Sequence, residues 1–184
     1  MDRSDVPVGR SAVAGVLAYL VGYLLTYLWQ VNAVREAISG LNLLLGVLGG
    51  QRVPAWTVVG WLFYGAHVVP LRIPTPGSSD VVRSIVGGDG ATSLLFVLPP
   101  LVLVLAGAAA AWWAGADAPE IGATAGASIA VSYLVLAVVG VFLFRFSIQS
   151  FVIGPDLLRS VVIAGIAYPV GFGAVGGAIF GATA

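Results

Sequence analysis

Five stretches of this chain are apolar over a length that can cross a bilayer, and together they hold almost no charge. Residues 11–31, 53–71, 91–114, 121–146 and 157–182 are each near or above the roughly 20 apolar residues that a spanning helix requires. His67 is their one side chain that titrates near neutral pH, and Arg145 and Arg159 stand at segment ends. Only 9% of the residues are charged, 59% are hydrophobic and the mean hydropathy is +1.03. A soluble domain carries about 25% charged residues, so this chain lacks the means to cover a water-facing surface. The expectation is an all-α integral membrane protein, with residues 1–184 forming one multi-pass domain of five transmembrane helices.

Composition removes most chemistry. There is no cysteine, which excludes disulfides, thiolate metal sites and thiol nucleophiles. All eight cations are arginine, so a lysine Schiff base and a lysine-dependent phosphate loop are excluded as well. The net charge of zero gives no footing for nucleic acid. No carboxylate pair, metal cluster or activated nucleophile can be assembled within the apolar segments. No catalytic residue, metal or cofactor is expected. The first apolar run is longer than a signal-peptide core and lacks a small-x-small cleavage pattern after it, so it reads as a retained first helix.

With five spans and the N-terminus in the cytoplasm, Arg3, Arg10, Arg72, Arg83, Arg145 and Arg159 lie inside, and Arg35 and Arg52 outside. That follows the positive-inside bias and predicts a cell-membrane protein with a cytoplasmic N-terminus and an outer C-terminus. This topology hangs on the second span, 53–71, the shortest, with Pro54 and Pro70 at its edges. Between spans one and two, Val34, Ala37, Ile38, Leu41, Leu44, Leu45 and Leu48 recur at helical spacing. They predict an amphipathic interfacial helix at about 33–48, capped by Asn32 and ended by Gly49-Gly50. Turns are expected at 74–79 and at Gly87-Gly88-Asp89-Gly90.

Lipid supplies no hydrophobic push between helices, so close packing needs small residues. Gly173, Gly177 and Gly181 stand four apart in span five, and Gly122 and Gly126 open span four, which predicts that these two spans touch. Pro99-Pro100 near the middle of span three predicts a kink, because each proline removes a helical donor.

Polar residues fall in two stripes. Tyr19, Tyr23 and Tyr27 stand four apart in span one, with Gln30 continuing their face; Thr124, Ser128 and Ser132 form a hydroxyl line in span four. Tyr64 shares a face with His67 in span two. The plain reading is that such groups bond a neighbouring helix, worth about 0.6 kcal/mol on average. The sharper reading is a polar cavity lined by these nine residues.

Val59-Gly60-Trp61-Leu62-Phe63-Tyr64-Gly65-Ala66-His67, Gly87–Gly90, Leu94-Leu95-Phe96 with Pro99-Pro100, and Gly22-Tyr23-Leu24-Leu25-Thr26-Tyr27 carry a resemblance. Together they resemble a family of small, uncharacterised multi-pass membrane proteins of halophilic archaea. The resemblance spans nearly the whole chain and implies residence in an archaeal plasma membrane; it carries no activity. The leading functional expectation is a non-enzymatic structural or accessory subunit of a membrane assembly. Its partners would be the lipid bilayer and a second copy or another membrane subunit. The alternative is a small transporter or channel for a neutral solute, with a passive path lined by the Tyr, Ser and Thr stripes.

Overall fold

The computed structural model describes residues 8–74, 81–86, 93–148 and 151–184. Of the turn expected at 74–79 only Pro74 is among these, and the turn expected at 87–90 lies outside them. The fold is a helical bundle with a small sheet at one end. Helix α1 is Val8–Ala37, α2 Ser39–Val47, α3 Ala55–Ala66, α4 Leu98–Ala114, α5 Pro119–Ala127, α6 Ala130–Leu143, α7 Leu157–Arg159 and α8 Tyr168–Thr183. A 3₁₀ turn, Ser93–Val97, leads into α4, and a π-helical stretch, Ser160–Ala167, joins α7 to α8. Among the described residues, four helical runs are long and apolar enough to cross a membrane: Gly9–Ala37, Ser93–Ala114, Pro119–Leu143 and Leu157–Thr183.

The stretch expected as a fifth crossing behaves differently. Helix α3 has 12 residues, roughly 18 Å at 1.5 Å per residue, against a hydrocarbon core of about 30 Å. Its path follows from its neighbours. Helices α1 and α6 run parallel: Ser132 Oγ donates to the Ala12 carbonyl at 2.8 Å near their starts, and Tyr23 stacks on Phe144 beyond the end of α6. Helix α3 runs against both. Its first turn lies beside Tyr23, whose hydroxyl donates to the Trp56 carbonyl at 3.1 Å, and His67, the residue that caps its end, meets Tyr133 near the start of α6. The chain then reverses, and strand β1 (Leu71–Ile73) pairs with β4 (Phe151–Pro155), which follows α6. Residues 53–73 thus enter the bundle, reach its middle and leave by the end at which they entered.

That end carries the sheet. Strands β2 (Val81–Arg83), β1, β4 and β3 (Phe146–Ile148) lie in that order, all antiparallel, with Leu71 opposite both Arg83 and Pro155. Phe146, expected inside span four, belongs to β3. The termini of the bundle share the opposite end: Arg10 Nη1 donates to the Trp113 carbonyl at 3.0 Å, and Gly181 packs on Ala118. The placement of the termini on opposite sides rested on 53–71 as a crossing, and the path of α3 removes that support.

Other boundaries shift for local reasons. Asn32 is an interior residue of α1, which continues to Ala37; only after a break at Ile38 does α2 begin, and none of its residues is buried. Pro99 and Pro100 stand in the first turn of α4, where a missing donor is not needed, so the α-helix starts at them instead of kinking around them. Span four is broken between α5 and α6 at Ser128-Ile129, where the Ser128 hydroxyl donates to the Ala125 carbonyl at 2.6 Å.

Small residues set the packing of α8, which lies along both α4 and α5. A Cβ at Gly122 or Gly126 would run into the carbonyls of Gly177 and Gly173, and one at Gly181 into that of Ala118. Gly107 in α4 meets Gly173 from the other side. Backbone lies directly on backbone along this seam, the close approach that membrane helices use for association. The outward faces of α1, α4 and α6 expose Leu17, Leu24, Leu105 and Val135, as lipid contact requires.

Candidate functional site

A helix that ends inside a membrane leaves carbonyl groups with no water to satisfy them. The end of α3 solves this locally. The His67 and Val69 amides both donate to the Tyr64 carbonyl, at 3.0 and 3.1 Å, and the Val68 amide donates to Gly65 at 2.9 Å. This pattern is a Schellman closure, whose reversing residue takes the left-handed conformation. Here that residue is Val68, with φ of 62°. The helices ending before Gly49 and Gly115 close in the same way, with glycine at the reversal.

Turning the His67 amide to Tyr64 frees the Phe63 carbonyl, and the His67 side chain takes it. Nδ1 lies 2.8 Å from that oxygen, which only accepts, so Nδ1 carries the proton. Nε2 lies 2.8 Å from the Tyr133 hydroxyl, from which it accepts in the neutral ring. The imidazole therefore caps a helix end at mid-bundle, wedged between Phe63 and Tyr168 at ring distances of 4.8 and 5.1 Å.

Tyr64, on the same face, donates to the Ala137 carbonyl and accepts from the Tyr19 hydroxyl, 3.1 Å away. Gly140 makes room for both hydroxyls, since a Cβ there would overlap them. Tyr19 packs edge-on against Phe63 and Tyr133, with ring centres 5.1 and 5.3 Å apart. Gly60 gives its space to the Phe144 ring, and Trp61 Nε1 donates to the Phe144 carbonyl at 2.6 Å. His67, Tyr64 and Tyr133 are at most 2% exposed. His67 Nδ1 bonds within its own helix end, while His67 Nε2 and the Tyr64 hydroxyl find their partners in α6.

The two stripes are not brought together. Tyr19, Tyr23, Tyr64 and His67 meet at the α1–α3–α6 junction, and Tyr27 and the buried Gln30 continue that side of α1. The hydroxyl line is used elsewhere: Thr124 donates to Glu120 and Ser128 to Ala125 within α5, and only Ser132 reaches α1, at the Ala12 carbonyl. Tyr133 and Tyr168, which hold His67, belong to neither stripe. Their signal in the sequence is that each is a polar aromatic inside an apolar run.

A second polar centre lies at the sheet end. Asp156 caps α7 by accepting from the Arg159 amide at 3.0 Å, and its other oxygen accepts from Arg72 Nη2 at 2.7 Å. Its own amide donates to the Pro70 carbonyl at 3.1 Å, tying the returning strand to the last crossing. Burial works to raise the Asp156 pKa, but the Arg159 amide and the Arg72 guanidinium outweigh it and hold the carboxyl below its usual value. Among the described residues there is no group of three His, Cys, Asp or Glu able to hold a metal.

Residues 1–184 match the profile of DUF7978, a family of unknown function. The chain belongs to this family. No curated protein and no solved structure matches this DUF7978 member.

Proposed function

We propose that this DUF7978 protein is a non-enzymatic membrane scaffold, a structural or accessory subunit of a larger assembly in the cell membrane of its archaeal host. The observation that carries this reading is the α1–α3–α6 junction, where Tyr19, Tyr64, His67 and Tyr133 are buried and spend their polar atoms on one another or on backbone; the groove of about 300 Å³ beside Tyr19 and Tyr23 is lined mostly by apolar side chains, Leu20, Leu136, Val139 and Leu143 among them. Buried polar groups that are fully paired rigidify a fold. Helix α2 supplies a surface for assembly, with Leu43, Val47 and Leu48 outward and Asn42 pinned to the Val53 backbone by bonds of 2.7 and 3.0 Å.

The same reading revises the orientation. Arg35, Arg52, Arg72, Arg83, Arg145 and Arg159 gather at the sheet end and Arg10 at the other. By the positive-inside bias the sheet end is cytoplasmic, and both termini of the bundle face outward. Purification in mild detergent tests the scaffold reading. It should yield a homo-oligomer or a stable complex, and a solitary monomer catalysing specific solute uptake in liposomes would overturn it.

One observation favours the passive-path alternative: α3 ends at mid-bundle against Tyr168, the residue that follows a π-helical stretch, the kind of irregularity that recurs at functional sites. If it holds, reconstituted flux should fall in Tyr23→Phe, Ser128→Ala and His67→Ala.

A further inference from the structure

The geometry points to a binding site for one phosphate-bearing anionic lipid, at the sheet end of the bundle between Arg72 and Arg145. A groove of about 670 Å³ opens there. Its floor is Gly154, where the absence of a side chain lets the Arg145 stem lie across the strand, 3.2 Å from where a Cβ would stand. The Arg145 guanidinium sits 4.2 Å over the Phe142 ring, which fixes its position at the membrane-facing edge. Among the described residues no carboxylate pairs with it. Arg72, on the opposite wall, is held by Asp156, whose carboxylate faces Arg72 and the Arg159 amide and does not line the groove.

The third wall is apolar. Leu157, Leu158 and Val161, at the start of the last crossing, run from the arginines toward the hydrocarbon, and Leu158 is 72% exposed. The Arg145 guanidinium, with the Asp156-paired Arg72 across from it, stands above an exposed leucine face and makes an amphipathic slot. A free phosphate would use only its upper half, and a neutral lipid only its lower half. A lipid that joins a phosphate anion to an acyl chain matches both, with the guanidinium fork accommodating phosphate oxygens. The site requires only that this end of the bundle lie at a membrane surface, so it stands apart from the scaffold reading.

The test uses the full-length protein in a neutral maltoside detergent, titrated with phosphatidylglycerol, phosphatidylcholine or inorganic phosphate, with bound lipid counted by native mass spectrometry. We expect saturable retention of one phosphatidylglycerol in preference to phosphatidylcholine. Arg145→Gln should weaken it at least about fivefold, the worth of one interfacial cation, and Arg145→Lys should recover part of the loss. Leu158→Asp, at a lipid-facing position, should weaken it without touching either arginine. Arg35→Gln, at the same end but outside the groove, should leave it unchanged. Equal retention of both lipids, competition by inorganic phosphate at similar concentration, or an equal loss in Arg35→Gln would overturn the proposal.

Discussion

Replacing His67 by phenylalanine isolates the cap at the end of α3. An aromatic ring is kept, though a larger one, while the Phe63 carbonyl loses its donor and the Tyr133 hydroxyl its partner, both at a fully buried position. A buried polar group left without a partner costs about 1–3 kcal/mol. Side-chain bonds between membrane helices measure less, about 0.6 kcal/mol on average with a maximum near 1.7, because the unfolded reference also finds partners inside the membrane. Two groups at intermediate cost place His67→Phe at about 2 kcal/mol of destabilisation. Tyr133→Phe strands only Nε2 and should cost about 1 kcal/mol. The double variant should cost less than the sum, since each change removes the partner that the other leaves bare. The assay is reversible unfolding in mixed micelles, followed for the four members of the cycle. Additive losses, or a His67→Phe variant as stable as the parent, would refute the cap. So would a variant of unchanged stability that loses solute flux in liposomes, which would move His67 from architecture to transport.

Three further predictions follow from single positions. Val68 takes a left-handed conformation that costs a β-branched residue about 1–3 kcal/mol; Val68→Gly should therefore raise stability by about 1 kcal/mol after the chain-entropy cost of glycine, read as a higher melting temperature. Gly177→Val would drive a side chain into the Gly122 carbonyl, and overpacking of this kind costs about 1–3 kcal/mol or more, measurable in the same unfolding assay. The Asp156 carboxyl has a lower pKa folded than unfolded, so its contribution is complete above the ordinary aspartate value of about 3.9 and fades as pH falls through the folded value. An acid titration of stability should show that loss in the parent and not in Asp156→Asn.

The sequence speaks clearly where one physical requirement dominates. Apolar length makes the four helical runs long enough to cross a membrane legible, and glycines four apart in 173–181 mark where α8 meets α5 backbone to backbone. It is silent where two solutions satisfy the same composition. Residues 53–71 are apolar whether they cross the membrane or dip into the protein, because the re-entrant helix is buried among other helices. The reversal that decides between these falls on Val68, without the glycine that announces it at Gly49 and Gly115. Pro99-Pro100 reads equally as a kink or a start, and the 3₁₀ turn before it settles the matter in favour of a start. The site was visible in fragments. Tyr19, Tyr23, Tyr64 and His67 stand out as polar groups in apolar segments. Their bonding to Tyr133 and Tyr168, and the Arg72–Asp156 pair across 84 positions, depend on a chain path that periodicity does not reveal.

The chain has no cysteine, so single cysteines report cleanly on sidedness through a membrane-impermeant maleimide applied to sealed vesicles of each orientation. With α3 entering and leaving by one end, Gly50→Cys and Arg83→Cys label from the same side, and Thr183→Cys labels only from the other. Labelling of Gly50→Cys and Arg83→Cys from opposite faces would make 53–71 a true crossing and contradict the re-entrant architecture on which the capped core is built.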